Sequence, residues 1–173
     1  MRFGLLLLGF SFSPDVAAAN DFKICGEASG DVAILACTRA IESNGFAGIE
    51  LAKLLTNRGV ELKLKGNLDA AIIDYTAALA LDPANMFGFN NRGNALRDKG
   101  DLQGAIADYT QAIRIDPDYA TALLNRGRVH ERQNNLDGAQ ADFTAVLKTS
   151  DKYVNSRGAK DLARGHLKAL EKK

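Results

Sequence analysis

Between Leu55 and Asp151 apolar and polar positions alternate with helical periodicity, in pairs of stretches separated by short breaks. In the middle of this region one stretch runs from about Phe87 to Lys99 and is followed by Gly100-Asp101; the next runs to about Ile115 and stops at Asp116-Pro117. Gly100 suits the left-handed residue that commonly closes a helix, Asp101 can cap the helix that follows, and a proline disfavours helix in the residue before it. The pattern therefore predicts an antiparallel helix pair. Gly66-Asn67 and Asn134-Asn135 occupy the equivalent turns on either side; asparagine substitutes for glycine there because it visits the left-handed region more readily than other residues.

The pairs are copies. Asn57-Arg58-Gly59 returns as Asn91-Arg92-Gly93 and Asn125-Arg126-Gly127, and Asp74-Tyr75-Thr76 returns as Asp108-Tyr109-Thr110 and Asp142-Phe143-Thr144, always 34 residues on. With units cut at 52–85, 86–119 and 120–153, the first two share fifteen of 34 residues, which is duplication. A fixed period of this length with helices inside it signals a stacked helical repeat. Gly59, Gly93 and Gly127 lie about as far before the turn as Ala71, Ala105 and Ala139 lie after it, so small residues meet and let the two helices approach. Tyr75, Tyr109 and Phe143 are expected to fill the gap to the next unit. Arg58, Arg92 and Arg126 precede Asp74, Asp108 and Asp142 by sixteen residues, a spacing that predicts a structural ladder alternating through the stack; as exposed pairs these would contribute only ~0–1 kcal/mol each.

The flanks read as caps. Gly30 to Ile41 echoes Gly100 to Ile113 with two residues missing, which makes residues 20–51 a shortened helix pair with Cys37 in place of the aromatic. Cys25 lies about as far before the Gly30 turn as Cys37 lies after it, level on the facing helix. At the other end, in residues 154–173, Ala159, Leu162, Ala163, His166, Leu167 and Leu170 form one apolar stripe, and Lys160, Asp161, Arg164, Lys168 and Glu171 face away. Such a helix would cover the last exposed face of the array.

Residues 1–19 have the order of a secretory signal peptide: Arg2, an apolar run from Phe3 to Phe12, then small residues before a cut after Ala19. The run is too short to span a bilayer. Export predicts a Cys25–Cys37 disulfide, a short loop closure contributing roughly 2–4 kcal/mol, and a periplasmic or secreted location. A net charge of +1 gives no strong pull toward nucleic acid or anionic membrane. No nucleophile stands beside a base, no glycine-rich phosphate loop or metal-finger spacing occurs, and the two histidines, His130 and His166, fall at packing positions. The sequence therefore predicts no catalysis, no metal and no cofactor.

The repeat resembles the tetratricopeptide repeat over about 100 of the 173 residues. That family's pattern is matched by Gly59, Gly93 and Gly127 at position 8; by Ala71, Ala105 and Ala139 at position 20; by Tyr75, Tyr109 and Phe143 at position 24; and by Pro83 and Pro117 at position 32. The third unit departs at His130, Val146 and Asp151. The resemblance implies an all-α, right-handed α-solenoid whose first helices line a concave groove for a peptide or partner helix. The implied groove residues are Asn57, Asn91 and Asn125, which resemble the asparagine ladder by which some family members hold extended chains, with Asn90, Asn94, Phe87, Arg97 and Arg128. Asparagines bonded only within their own helix are the alternative. The carboxylate clamp of cytosolic co-chaperones is not matched, because Thr56 and Val60 stand where it needs lysine and asparagine. Lys53, Lys63, Arg97, Arg128 and Arg132 against Asp98 and Glu131 favour a neutral or acidic partner segment. The expected function is a protein-interaction adaptor or assembly factor, with a structural subunit that self-associates through its solenoid ends as the alternative.

Overall fold

The computed structural model describes residues 16–172. Nine helices and no strand occur among them: α1 (Val16–Glu27), α2 (Gly30–Glu42), α3 (Gly48–Leu64), α4 (Leu68–Leu81), α5 (Met86–Lys99), α6 (Leu102–Ile115), α7 (Ala120–Arg132), α8 (Leu136–Lys148) and α9 (Ser156–Leu170). Each helix packs on its neighbours in the chain, and the odd-numbered helices also touch one another in series from α1 to α9. This is the stacked array of helix pairs expected, with the odd helices on one face. The predicted leader lies mostly outside the described residues; its last four, Val16 to Ala19, open α1.

Turn chemistry follows the sequence with one exception. Gly66, Gly100 and Asn134 take φ of 80°, 95° and 59°. Asp101 and Asn135 cap α6 and α8 by accepting from Gly104 N at 2.9 Å and Gly138 N at 3.0 Å, but Asn67 makes no side-chain cap on α4. The reason lies three residues on. A Cβ at Gly104 would stand 2.4 Å from Asp101 Oδ2, and one at Gly138 would stand 2.8 Å from Asn135 Nδ2. The first unit carries Ala70 there, and its methyl occupies the space a capping side chain would use.

Position 8 is small to admit a ring. A Cβ at Gly59, Gly93 or Gly127 would fall 2.7–2.8 Å from the ring of Tyr75, Tyr109 or Phe143 in the same unit. Those rings are fully buried. Tyr75 and Tyr109 also reach forward to Ala95 and Val129 of the next unit, so each ring closes its own helix pair and the junction beyond it. Cys37 replaces the ring in the N-terminal pair; its Sγ lies 2.12 Å from that of Cys25, with Cα atoms 4.7 Å apart.

The arginine–aspartate ladder differs from expectation. Each arginine pairs in bidentate fashion with the aspartate of its own unit: Arg58 with Asp74 at 2.8 Å, Arg92 with Asp108 at 2.8 Å, Arg126 with Asp142 at 2.7–2.9 Å. The link to the preceding unit is made by a hydroxyl. Arg58, Arg92 and Arg126 donate a further N–H to Thr38, Thr76 and Thr110 at 3.2, 3.1 and 3.0 Å. Thr76 and Thr110 in turn donate to Ile72 O and Ile106 O at 2.7 Å. Nor are the pairs exposed, since the aspartates are 4–5% accessible. The carboxylates hold the Arg58 and Arg92 guanidiniums above their ordinary pKa through these hydrogen bonds, against the opposing effect of burial.

Helix α9 packs Ala159 and Ala163 against Phe143 and Val146, and His166 stacks on Phe143 at 4.6 Å. Two residues depart from the predicted stripe. Leu162 is 54% exposed, turned off the buried side, whereas Lys160 is half-buried and pairs with Asp151 at 2.9 Å.

The rungs set a stability test. Asp108→Ala removes both hydrogen bonds from a half-buried guanidinium and should cost about 2–4 kcal/mol in urea unfolding. Asp69→Ala, which breaks only the exposed pair with Lys99, should change stability by less than about 0.5 kcal/mol. Similar losses for the two variants would show that the rung adds nothing beyond a surface ion pair.

Candidate binding groove

The face lined by α3, α5, α7 and α9 gathers the residues singled out from the sequence, but it divides the asparagines into two sets. At the α5–α7 junction they bond to one another: Asn125 Nδ2 donates to Asn90 Oδ1 at 3.0 Å and to Asn94 Oδ1 at 3.2 Å, and Tyr109 Oη donates to Asn94 Oδ1 at 2.8 Å. Asn90 and Asn125 are buried, so this cluster joins two units.

One junction earlier the cluster is interrupted. Thr56 stands in place of Asn90, its Oγ1 turned to Ala52 O at 2.8 Å, and Val60 in place of Asn94 offers no acceptor. Two polar groups are left over. Tyr75 Oη is the one buried side-chain polar atom without a hydrogen-bond partner among the described residues, and burial pushes its phenol pKa up. Asn91, half-buried in the central unit, has no side-chain hydrogen bond within the described residues. Asn57 sits before α1, its Nδ2 at 3.8 Å from where a Cβ on Gly26 would stand. The register of position 9, valine then asparagine then arginine, against the aromatics of position 24 carried this signal in the sequence.

Further along the same helices the groove is charged. Lys63 Nζ and Arg97 Nη2 converge on Asp98 at 3.0 and 2.8 Å. Burial alone would raise the Asp98 carboxyl, but hydrogen bonds from Arg97 and Lys63 outweigh it and hold its pKa below the usual range. Glu131 Oε2 lies 2.8 Å from His166 Nδ1 of α9. Lys53 and Arg128 are exposed, and Arg128 has no carboxylate within ion-pair distance among the described residues. The surface keeps a cationic surplus.

Phe87, expected on the groove, is half-exposed and also closes an aromatic cluster edge-to-face with Tyr119 at 5.4 Å and Tyr153 at 6.1 Å. Tyr153 belongs to the linker between α8 and α9. That linker is fastened to the α6–α7 turn by Asp116, which accepts from Lys152 Nζ at 2.7 Å and from Tyr153 Oη; these two bonds hold the Asp116 carboxyl down at about 2. The linker thereby fixes where α9 begins and where Val154 stands.

One feature of this end was not read from the sequence. Ser156-Arg157-Gly158 repeats the arginine–glycine pair of the earlier units, but 31 residues after Arg126-Gly127 instead of 34. Out of phase, Arg157 finds no buried carboxylate and is exposed, with Asp151 at 3.3 Å. Gly158 faces no aromatic: a Cβ there would meet nothing within 4 Å. A depression of about 370 Å³ opens beside it, floored by Leu124 and Ala159 and edged by Thr121, Val154 and Leu162. Among the described residues no cluster has the donors for a metal ion, and no helix is long and apolar enough to cross a membrane.

Comparison with protein families matches residues 52–85 to the tetratricopeptide repeat and residues 93–134 to the TPR repeat. Curated protein sequences return no match. Among solved structures, the second TPR domain of Spaghetti (RPAP3), bound to the HSP90 peptide SRMEEVD, is 32% identical, with TM-score 0.55, over 57% of this chain and 92% of that one. The TPR domain of OM64 from Arabidopsis is 27% identical, with TM-score 0.60, over 69% and 99%. A tetratricopeptide repeat protein from Parabacteroides merdae shares the fold at TM-score 0.70 and 24% identity, over 90% of this chain and 62% of that one.

The two tyrosines should respond with opposite sign. Tyr75→Phe removes an unpaired buried hydroxyl and should raise unfolding stability by about 1 kcal/mol, whereas Tyr109→Phe breaks the bond to Asn94 and should lower it by about 1 kcal/mol. Val60→Asn should restore a partner for Tyr75 and make Tyr75→Phe destabilising in that background. Thermal melts of wild type and the four variants check this; losses of equal size for both single tyrosine variants would contradict it.

Proposed function

The chain belongs to the tetratricopeptide repeat family, a fold typical of non-catalytic interaction modules, and we propose that it acts as an adaptor or assembly factor holding an extended segment of a protein partner along α3, α5 and α7. The observation that carries this reading is Asn91. It stands in the central unit, half-buried, with its amide unengaged, while Asn90, Asn94 and Asn125 are occupied with one another. A carboxamide can donate to and accept from a peptide backbone at once. The related Spaghetti domain, bound to the HSP90 peptide SRMEEVD, supports a peptide or protein partner, and the cationic surplus here favours a neutral or acidic segment. Thr56 and Val60 replace the clamp residues, so the recognition falls on backbone and side chains along the segment. The exposed outer face of α9, with Arg157, Asp161, Arg164 and Lys168, weighs against end-to-end stacking there.

With the partner captured by pull-down from an envelope extract, calorimetry on the full chain tests the groove. Asn91→Ala should weaken binding by about 1–3 kcal/mol without lowering the melting temperature, because alanine is the better helix former. Affinity should also fall as salt rises. Equal affinity in Asn91→Ala and wild type would remove the groove reading.

Export is the second part of the proposal, and it rests on the order of residues 1–19 and on the proximity of Cys25 and Cys37. The protein from its native host should begin near Asn20 by mass spectrometry and show no free thiol without reduction. Met1 retained in a cytoplasmic fraction, or two alkylatable cysteines, would overturn it.

A further inference from the structure

The depression between α7 and α9 is not part of the repeat, and its lining is arranged for a side chain. Leu124 and Ala159 form a floor that is 5% accessible in each case, while Val154 at 101% and Leu162 at 54% stand at its edge with most of their surface in water. Its volume of about 370 Å³ lies within the range of ligand pockets, about 300–1,000 Å³. Gly158 lines it. A glycine inside a helix is destabilising relative to alanine, and here no neighbour demands it, since an added Cβ would meet nothing within 4 Å. The surroundings are cationic. Arg128 lies one helical turn beyond Leu124 on α7, exposed and without a carboxylate partner among the described residues, and Arg157 on α9, 86% exposed, has Asp151 at 3.3 Å. The nearby carboxylates are engaged, Glu131 with His166 and Asp161 with Arg164.

We propose that this pocket anchors one aliphatic side chain of an acidic partner segment, so that the groove reads an isoleucine, leucine or valine flanked by glutamate or aspartate. The inference rests on the groove reading above and names its ligand. Backbone is held at the α3–α5 junction by Asn91, and the aliphatic residue is set down at the α7–α9 end. Arg128 takes a neighbouring carboxylate.

The test uses the full chain and a synthetic library of extended, acetylated nonapeptides containing three glutamates and one varied position. Isoleucine, leucine or valine should be preferred over alanine at the varied position by about tenfold, and the isoleucine peptide should shift the methyl resonances of Leu124, Val154 and Leu162. Gly158→Phe fills the pocket and should abolish the preference. Leu162→Ser, at an exposed position, should reduce it and covers the case in which Gly158→Phe misfolds. A preference that survives both Gly158→Phe and Leu162→Ser overturns the pocket. Peptide binding that depends on Asn91 but shows no aliphatic preference also overturns it and leaves the groove reading standing, whereas no binding by any peptide removes both. Concentration-dependent dimerisation abolished by Gly158→Phe would assign the pocket to a second copy of the chain and overturn the partner-segment proposal.

Discussion

The stack depends on how one guanidinium is shared. Arg58, Arg92 and Arg126 each project from the first helix of a unit and hold two second helices at once, their own through an aspartate and the preceding one through a threonine hydroxyl. A planar fork with five donors can satisfy both directions without moving. Because the carboxylates are buried and Thr76 and Thr110 are themselves bonded to their helix backbones, the distance between successive repeat units is fixed by polar geometry as well as by packing. The rings of Tyr75 and Tyr109 then fill the space so defined, over the glycine of one unit and against Ala95 or Val129 of the next.

Much of this was legible because repetition turns one observation into three. The turns at Gly100 and Asn134, the cap at Asp101 and the small residue facing each ring follow from local chemistry that the period repeats. Less legible were interactions in which the side chain chooses between partners at similar distances. Arginine spacing allowed either an alternating ladder or pairs within units, and only the threonine hydroxyl one helix away decides it. The missing cap at Asn67 depends on a methyl at Ala70, a steric matter three residues removed. On the groove, the asparagines look alike in sequence; what separates Asn91 from Asn125 is whether the preceding helix offers Asn94 or Val60, a difference that appears once the helices are placed side by side.

The two ends close in different ways. At the start, Cys25 and Cys37 stand where other units put a buried ring, with their sulfurs 2.12 Å apart. At the other end, α9 stands where the first helix of a further unit would stand. Its inner side is apolar against Phe143 and Val146, its outer side is charged, and Asp116 grips the linker that delivers it. Ends built from different chemistry give the array a direction, and the groove between them inherits it: polar near α3, aliphatic near α9.

The linker's length has a wider meaning. A change of three residues rotates a helix by about 300°, or some 60° short of a full turn. Ser156-Arg157-Gly158 arrives three residues early, so the arginine and glycine that would have locked a fourth copy into place are swung outward. Counting, and not composition, breaks the 34-residue period: much of the vocabulary for another unit is present, spoken out of phase. The same displacement that silences the motif as a building block leaves its glycine beside open space, where a stop signal becomes a place of contact.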